Sequence, residues 1–254
     1  MRPSRTHLVL IPTYNAGALL LRTVREARAA WAPVWVVVDG STDGWDAALA
    51  PIEAGDPGLR VFRLPRNAGK GAAVLHALRE ADRLGFTHAL VMDSDGQHPA
   101  DRIGEFMAAS AAAPEAMVLG QPVFGADAPL ERVLGRRLSN WWADLETLWA
   151  GIGDSLFGFR VYPVRPLLEE MTRHRWMRRF DFDAEAAVRL CWRGVQPMKL
   201  PVPVRYLSRA EGGVSHFHYV RDNLLLAFMH LRLVLGFLPR LPRLLRRRLA
   251  GRPG

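Results

Sequence analysis

Short apolar runs alternate with stretches of helical spacing through the first half of the chain. Residues 8–11, 34–38, 59–64, 89–92 and 117–119 are short and almost uniformly apolar, the pattern of strands buried on both faces. Between them, residues 16–31, 69–84 and 101–112 have the length and spacing of helices. Such alternation predicts an α/β fold, a Rossmann-like, mostly parallel sheet with helices on both faces. After residue 125 the strict alternation stops. The pattern then predicts a long helix over 130–150, a strand over 157–162, a helix over 183–193, a proline-edged strand over 196–204 and a final amphipathic helix over 216–238.

In open sheets of this kind ligands sit beyond the carboxyl ends of the strands. The segments there read Pro12-Thr13-Tyr14-Asn15, Asp39-Gly40-Ser41-Thr42-Asp43-Gly44, Asn67-Ala68-Gly69-Lys70-Gly71 and Asp93-Ser94-Asp95-Gly96-Gln97-His98. Turn and helix-cap chemistry favours the same residue types, but four such segments in register, two with paired acids, point to a site. Asp93, Asp95 and Gln97 alternate beyond a buried strand, and in an extended segment their oxygens would converge on one hard divalent cation, Mg2+ or Mn2+. Such a cation, with open positions, would neutralise a departing diphosphate. Leu64 and Gly71 stand where a Walker A loop needs Gly and Ser or Thr, so that motif is excluded. Lys70, at a helix start, is either a phosphate or ribose contact or a solvated lysine above a glycine turn.

The four segments, in order, resemble the motif series of family 2 glycosyltransferases with the GT-A fold. Within that family they are most similar to dolichyl-phosphate mannose synthase-like enzymes, which also carry a strand like Gly158-Phe159-Arg160. The likeness runs from about residue 8 to about residue 220. It implies a nucleotide-diphosphate sugar as donor, with Pro12, Tyr14 and Asn15 lining the nucleotide site, Asp39 facing base or ribose, and Asp93, Asp95 and Gln97 holding metal and diphosphate. It implies further that Arg132, Arg136 and Arg137 meet an acceptor phosphate, and that Arg209 and Ser215 close over the donor phosphates on a loop hinged by Gly212 and Gly213. This chain departs from the family pattern at Val38, where an acid is usual, and at Gln121-Pro122, where a basic residue is usual. Phe180-Asp181-Phe182-Asp183-Ala184-Glu185 resembles the acidic motif beside the reacting carbon. A hydroxyl acceptor needs a general base and a phosphate acceptor does not; Asp183 and then Asp181 are the candidates. The competing reading makes Asp183 a helix N-cap and Glu185 a first-turn acid. Met177 to Asp183 and Gly213-Val214-Ser215-His216-Phe217 also resemble small bacterial enzymes of aryl polyene-type lipid pathways.

Composition narrows the setting. The 254 residues, 49% hydrophobic and 23% charged, exclude a disordered or collagenous chain. The single cysteine, Cys191, cannot pair internally and reads as core packing, and His216 and His218 alone do not make a zinc site. No secretory leader opens the sequence, which fits a cytoplasmic protein. The formal charge of +9 is concentrated: after Asp222 come Arg232, Arg240, Arg243, Arg246, Arg247, Arg248 and Arg252, with no acid. That argues against a nucleic-acid face and for a local anionic partner. The apolar run 224–238 is shorter than the roughly 20 residues a membrane span needs. With the arginines after it, the run predicts a helix lying in the interface of an anionic membrane; a helix packed on the domain is the alternative. Trp141, Trp142, Trp149 and Trp176 suit either a wall facing a lipid acceptor or core packing.

The expectation is therefore a GT-A domain over 1–220 followed by an amphipathic helix and arginine-rich tail over 221–254, peripheral on the inner membrane. It would move a sugar, with inversion, from a nucleotide sugar to a lipid-linked acceptor, either polyprenyl phosphate or a lipid hydroxyl. The alternatives are a sugar nucleotidyltransferase and a non-catalytic membrane adaptor. The sequence leaves the oligomeric state open.

Overall fold

The computed structural model describes residues 2–123, 130–204 and 219–251. The apolar runs become strands β1 (His7–Thr13), β2 (Val34–Asp39), β3 (Leu59–Leu64), β4 (His88–Val91) and β5 (Ala116–Val123), followed by β6 (Arg160–Pro163) and β7 (Gln196–Pro203). They form one sheet in the order β3-β2-β1-β4-β6-β5-β7, in which β6 alone runs against its neighbours. The helices are α1 (Leu19–Ala30), α2 (Ala50–Gly55), α3 (Lys70–Arg83), α4 (Ile103–Ala112), α5 (Leu130–Glu146), α6 (Val164–Arg173), α7 (Phe182–Arg193), α8 (Tyr219–Phe237) and α9 (Leu241–Leu249). The pattern had not predicted α2, α6 or α9.

Period-two alternation divides the buried residues between two cores. Val9, Ile11, Val34, Val36, Leu90 and Met92 face α1 and α4, packing on Leu20, Val24, Ile103 and Phe106. Leu8, Leu10, Trp35, Val37, Ala89 and Val91 face the other way, onto Ala73, Ala77 and Leu78 of α3 and the α7 residues Ala187, Val188 and Cys191. Both sheet faces being covered explains why the central strands β1, β2 and β4 are buried along their whole length and read as nearly unbroken apolar runs. Cys191 is fully buried and its thiol is pushed up to about 12 by that burial, in keeping with a packing role.

Three boundaries differ from the sequence pattern. The long helix stops at Glu146, because the Thr147 hydroxyl bonds back to the Ala143 carbonyl and Leu148 and Trp149 turn left-handed at φ 52° and 57°. The strand expected from residue 157 begins only at Arg160; just before it Gly158 lies against Lys70 and Asp93, and the Phe159 carbonyl accepts the Gly120 N–H of β5 at 3.0 Å. Asp181, not Asp183, stands at the N-cap position of α7, and Asp183 lies inside the first turn.

At the amino edge of the sheet His7 and His88 pair across β1 and β4 with rings stacked 4.5 Å apart. Burial, and then the charge of His88, lowers the His7 pKa from 6.5 to about 4. The unfolded chain therefore takes up a proton between those values that the native state refuses, so stability rises with pH across this window and is lost as pH falls through it. We expect denaturation midpoints to fall on acidification from pH 6.5 to about 4, with His7 contributing up to ~1.4 kcal/mol per pH unit. His7→Phe should flatten that slope; an unchanged slope would assign the acid sensitivity elsewhere.

Candidate active site

Because β6 runs antiparallel to β4, its first residue lies at the carboxyl edge of the parallel strands, with Arg160 opposite Val91. That places the Gly158-Phe159-Arg160 segment beside Asp93 and Asp95, which follow β4, and beside the starts of α3 and α7. Lys70, the first residue of α3, bridges the two acids: its Nζ is 2.6 Å from Asp93 Oδ1 and 2.7 Å from Asp183 Oδ2. Burial alone would lower the Lys70 pKa, but the charges of Asp183 and Asp93 outweigh it and hold the ammonium above its ordinary value. Burial would likewise raise Asp93, and Lys70 reverses that to a net lowering. The Asp183 Oδ1 atom is buried with no hydrogen-bond partner, so this carboxylate retains acceptor capacity.

The bridge depends on close backbone approach. A Cβ on Gly71 would strike the Met177 carbonyl oxygen, and a Cβ on Gly158 would lie 2.6 Å from Lys70 Nζ and 2.7 Å from Asp93 Oδ2. The Ala72 N–H donates to the Arg178 carbonyl at 3.1 Å, fixing the start of α3 against the turn that enters α7. Arg160 completes the cradle. It is fully buried and donates to the Asp183 carbonyl, to the Asp154 carbonyl at 2.8 Å and to the Tyr162 hydroxyl at 3.0 Å. The sequence marked Arg160 only as part of a resembling strand; an arginine opening an otherwise apolar strand at the ligand edge was the available signal.

Asp95 is not extended beside Asp93. The chain bends at Ser94–Gly96, Gly96 has φ 73°, and the Gln97 N–H closes onto Asp95 Oδ1 at 3.0 Å. The strand-like alternation behind the three-ligand expectation is thus replaced by a turn that still sets Asp93 and Asp95 together. Burial, and then the negative charge of Asp93, pushes Asp95 up to about 6, the effect of two acids sharing a space that a cation would relieve. His98 supports the same turn, accepting the Asp93 N–H at its Nδ1 at 2.9 Å, and burial lowers it to about 4, leaving a neutral ring. Among the described residues no three His, Cys, Asp or Glu side chains form a ready-made metal cage. Any ion at Asp93 and Asp95 would complete its shell from substrate and solvent, which suits Mg2+ or Mn2+.

The other expected residues divide between the site and its frame. Pro12 lies near the end of β1, opposite Val37, and Tyr14 follows the strand at the same edge. Asn15, at φ 46°, turns its amide to the β2 loop, accepting the Thr42 N–H at 2.7 Å and donating to the Thr42 hydroxyl at 3.3 Å. Asp39 is buried, and its two oxygens accept the Ala68 and Gly69 N–H groups at 2.9 and 2.7 Å, tying the loop before α3 to β2. Asp181 accepts the Met177 and Arg179 N–H groups at 3.1 and 3.0 Å and shapes the turn into α7. Of the two candidate bases, then, Asp183 meets the Lys70–Asp93 pair and Asp181 holds backbone. Arg136 pairs with Asp154 at 2.8 Å, while Arg137 is exposed. The Arg132 side chain, Arg209, Ser215, His216 and His218 lie outside the described residues.

The profile of Glycosyl transferase family 2 matches residues 8–182, the span that builds this edge from β1 to the start of α7. The chain belongs to that family. A curated relative of this glycosyltransferase, the polyprenol monophosphomannose synthase of Mycolicibacterium smegmatis, is 28% identical over 229 residues, covering 85% of this chain and 82% of the relative. The fold is similar to glucosyl-3-phosphoglycerate synthase from Mycobacterium tuberculosis in complex with Mn2+, UDP-glucose and phosphoglyceric acid. That match has a TM-score of 0.62 at 18% identity, covering 93% of this chain and 80% of that one. It is also similar to S. aureus TarS in complex with UDP, with a TM-score of 0.53 at 18% identity over 78% of this chain and 60% of that one. The glycosyltransferase family and GT-A-like fold favour sugar transfer over the nucleotidyl-transfer and adaptor alternatives.

Removing the Lys70 ammonium leaves Asp93 and Asp183 facing each other without a counter-charge. We expect Lys70→Met to lower stability by about 2–3 kcal/mol, less than for a fully buried pair because Asp93 is partly exposed. Denaturant titration checks this; no loss would mean that the bridge does not form in solution.

Proposed function

We propose that this glycosyltransferase moves a sugar, with inversion, from a nucleotide-diphosphate sugar to a lipid-linked acceptor, polyprenyl phosphate or a lipid hydroxyl, at the cytoplasmic face of the inner membrane. The observation that carries the reading is the meeting of Asp183 with the Asp93–Asp95 turn across one lysine, which sets a proton acceptor beside a cation and diphosphate site. Asp93 and Asp95 would hold Mg2+ or Mn2+, which when bound supplies charge neutralisation for the leaving diphosphate. Lys70 holds Asp93 and Asp183 in register and is placed to follow negative charge as it develops. Asp183, with Oδ1 unpartnered, would take the proton of a hydroxyl acceptor; a phosphate acceptor arrives ionised and leaves Asp183 an orienting role. The relative named for polyprenol monophosphomannose synthesis supports the lipid-linked acceptor.

The C-terminal helices support the membrane setting. On α8 the polar residues Asp222, His230 and Arg232 are turned inward, while Leu224, Phe228, Leu231 and Leu235 are 66%, 48%, 55% and 61% exposed. The outward face formed by these leucines and Phe228 is strongly apolar and suited to an apolar surface. The helical run Val220–Leu249 has the length and composition to cross a bilayer. Spanning would strip His230 and Arg232 from their partners on the domain, so lying flat is favoured. α9 packs on the domain as well: Leu244 is buried, Arg247 donates to the Trp192 carbonyl at 3.0 Å, and Arg248 donates to the Leu148 carbonyl at 2.9 Å. The other α9 arginines, Arg243 and Arg246, are exposed and available to anionic headgroups.

Two experiments test the reading. In a thermal-shift panel with Mn2+, the true nucleotide-sugar donor at about a hundred times its Kd should add about 2.7 kcal/mol of stability. Asp95→Asn should abolish the Mn2+-dependent part; an undiminished shift would remove the metal from this site. For the membrane, Leu224→Gln, Leu231→Gln and Leu235→Gln together should cut sedimentation with phosphatidylglycerol-containing vesicles at least about tenfold, since each buried leucine contributes roughly 1.5–3 kcal/mol. Equal sedimentation would overturn the docking face.

A further inference from the structure

The inward side of α8 carries two polar contacts that reach different parts of the acceptor half of the site. His230 accepts or donates at both ring nitrogens, to Glu146 Oε1 at 2.9 Å and to the Ser139 hydroxyl at 3.0 Å. Ser139 continues to the Ser155 hydroxyl at 3.1 Å, and the Ser155 N–H and hydroxyl bond Asn140 Oδ1 at 2.8 and 2.9 Å. This chain fixes the loop whose neighbouring residue, Asp154, holds Arg136 by its carboxylate and Arg160 by its carbonyl. Arg232 makes the second contact, to Glu185 Oε2 at 2.6 Å and Asp181 Oδ2 at 3.5 Å, the residues flanking Asp183 at the start of α7. No comparable α8 contact reaches β1, β2 or the Asp93–Gln97 turn among the hydrogen bonds and ion pairs of the described residues.

Each contact is roofed by aromatic rings on the apolar face. Trp142 stacks on His230 at 6.2 Å and packs edge-on against Trp141, which is half exposed. The Arg232 guanidinium lies 4.2 Å from the ring centre of Trp176 and 4.9 Å from that of Phe228, and its Nε and Nη1 atoms are buried with no hydrogen-bond partner. Covering these rings with lipid removes water from above two buried polar links. Their electrostatic attraction strengthens as the local dielectric falls, and so does the cation–π contact.

We propose that His230 and Arg232 are positioning residues through which docking of α8 on a lipid surface tightens the acceptor half of the site, His230 setting the 151–156 loop and Arg232 the 177–185 turn. The inference rests on the membrane reading above. It predicts that acceptor use, and not donor binding, responds to the membrane.

Hydrogen exchange of the full chain, with and without phosphatidylglycerol-containing vesicles, tests it directly. Vesicles should slow exchange about fivefold or more in both 151–156 and 177–185, the low end of ordinary coupling free energies, while 34–39 stays unchanged. His230→Gln should lose the vesicle effect on the first segment only, and Arg232→Met on the second only, with Arg232→Lys retaining part of it. Both variants should raise the KM for a short-chain polyprenyl phosphate while leaving the KM for the nucleotide sugar within about twofold. Protection confined to α8 and its immediate neighbours, or equal changes in acceptor and donor KM, would overturn the coupling. The exchange comparison needs no variant and no turnover, so it stands if a variant misfolds or the acceptor is of another kind. Failure of the wild-type chain to sediment with the vesicles would remove the membrane reading and this inference together.

Discussion

One ammonium shared by two carboxylates organises this enzyme. Lys70 brings Asp93, from the end of a central strand, and Asp183, from the start of a distant helix, within a single cation's reach. Without it the two carboxylates would face each other across a largely buried space. The glycines on either side follow from the same demand: Gly69 and Gly71 let α3 meet the carbonyls of Arg178 and Met177, and Gly158 leaves the space that the lysine and Asp93 occupy. Much of the chemistry of the site is thus a matter of where side chains are missing.

Around that bridge the fold separates duties. The parallel strands β1, β2 and β4 carry the loops expected to meet the nucleotide, and their polar residues are tied to one another: Asn15 to Thr42, Asp43 to the Gly17 N–H and Asp39 to Ala68 and Gly69. The antiparallel strand β6, α5, α7 and α8 carry the other half, tied through Arg160, Asp154 and Glu185. Lys70 sits on the seam.

Much of the first half was legible in the sequence because strands buried on both faces must be apolar throughout, and the turns that follow them must be polar and glycine-rich. The Asp93–Asp95 pair and the Lys70 loop were found this way. Less legible were roles that depend on partners far along the chain. Asp39 and Asn15 are expected ligand contacts by motif, and the motif does not show that their oxygens also serve backbone N–H groups of neighbouring loops. Arg160 stands out as an arginine opening an apolar strand, but the pattern does not show what it holds, because its partners are two main-chain carbonyls and a phenol. The hydrophobic pattern of α8 showed an amphipathic helix without showing which side would face the protein. That choice follows buried acids on the domain: Glu146 meets His230, and Glu185, already held by Arg189 through Oε1, offers Oε2 to Arg232.

The position of those acids has a consequence for how the chain acquires its shape. During synthesis the sheet, α5 and α7 leave the ribosome before α8 does, so Glu146 and Glu185 are made before their α8 partners. Until they arrive, the groove that will receive Met229, Leu233 and Phe237 stays open. A nascent chain halted at that stage would carry a sticky apolar cleft, and chaperone engagement is most to be expected there.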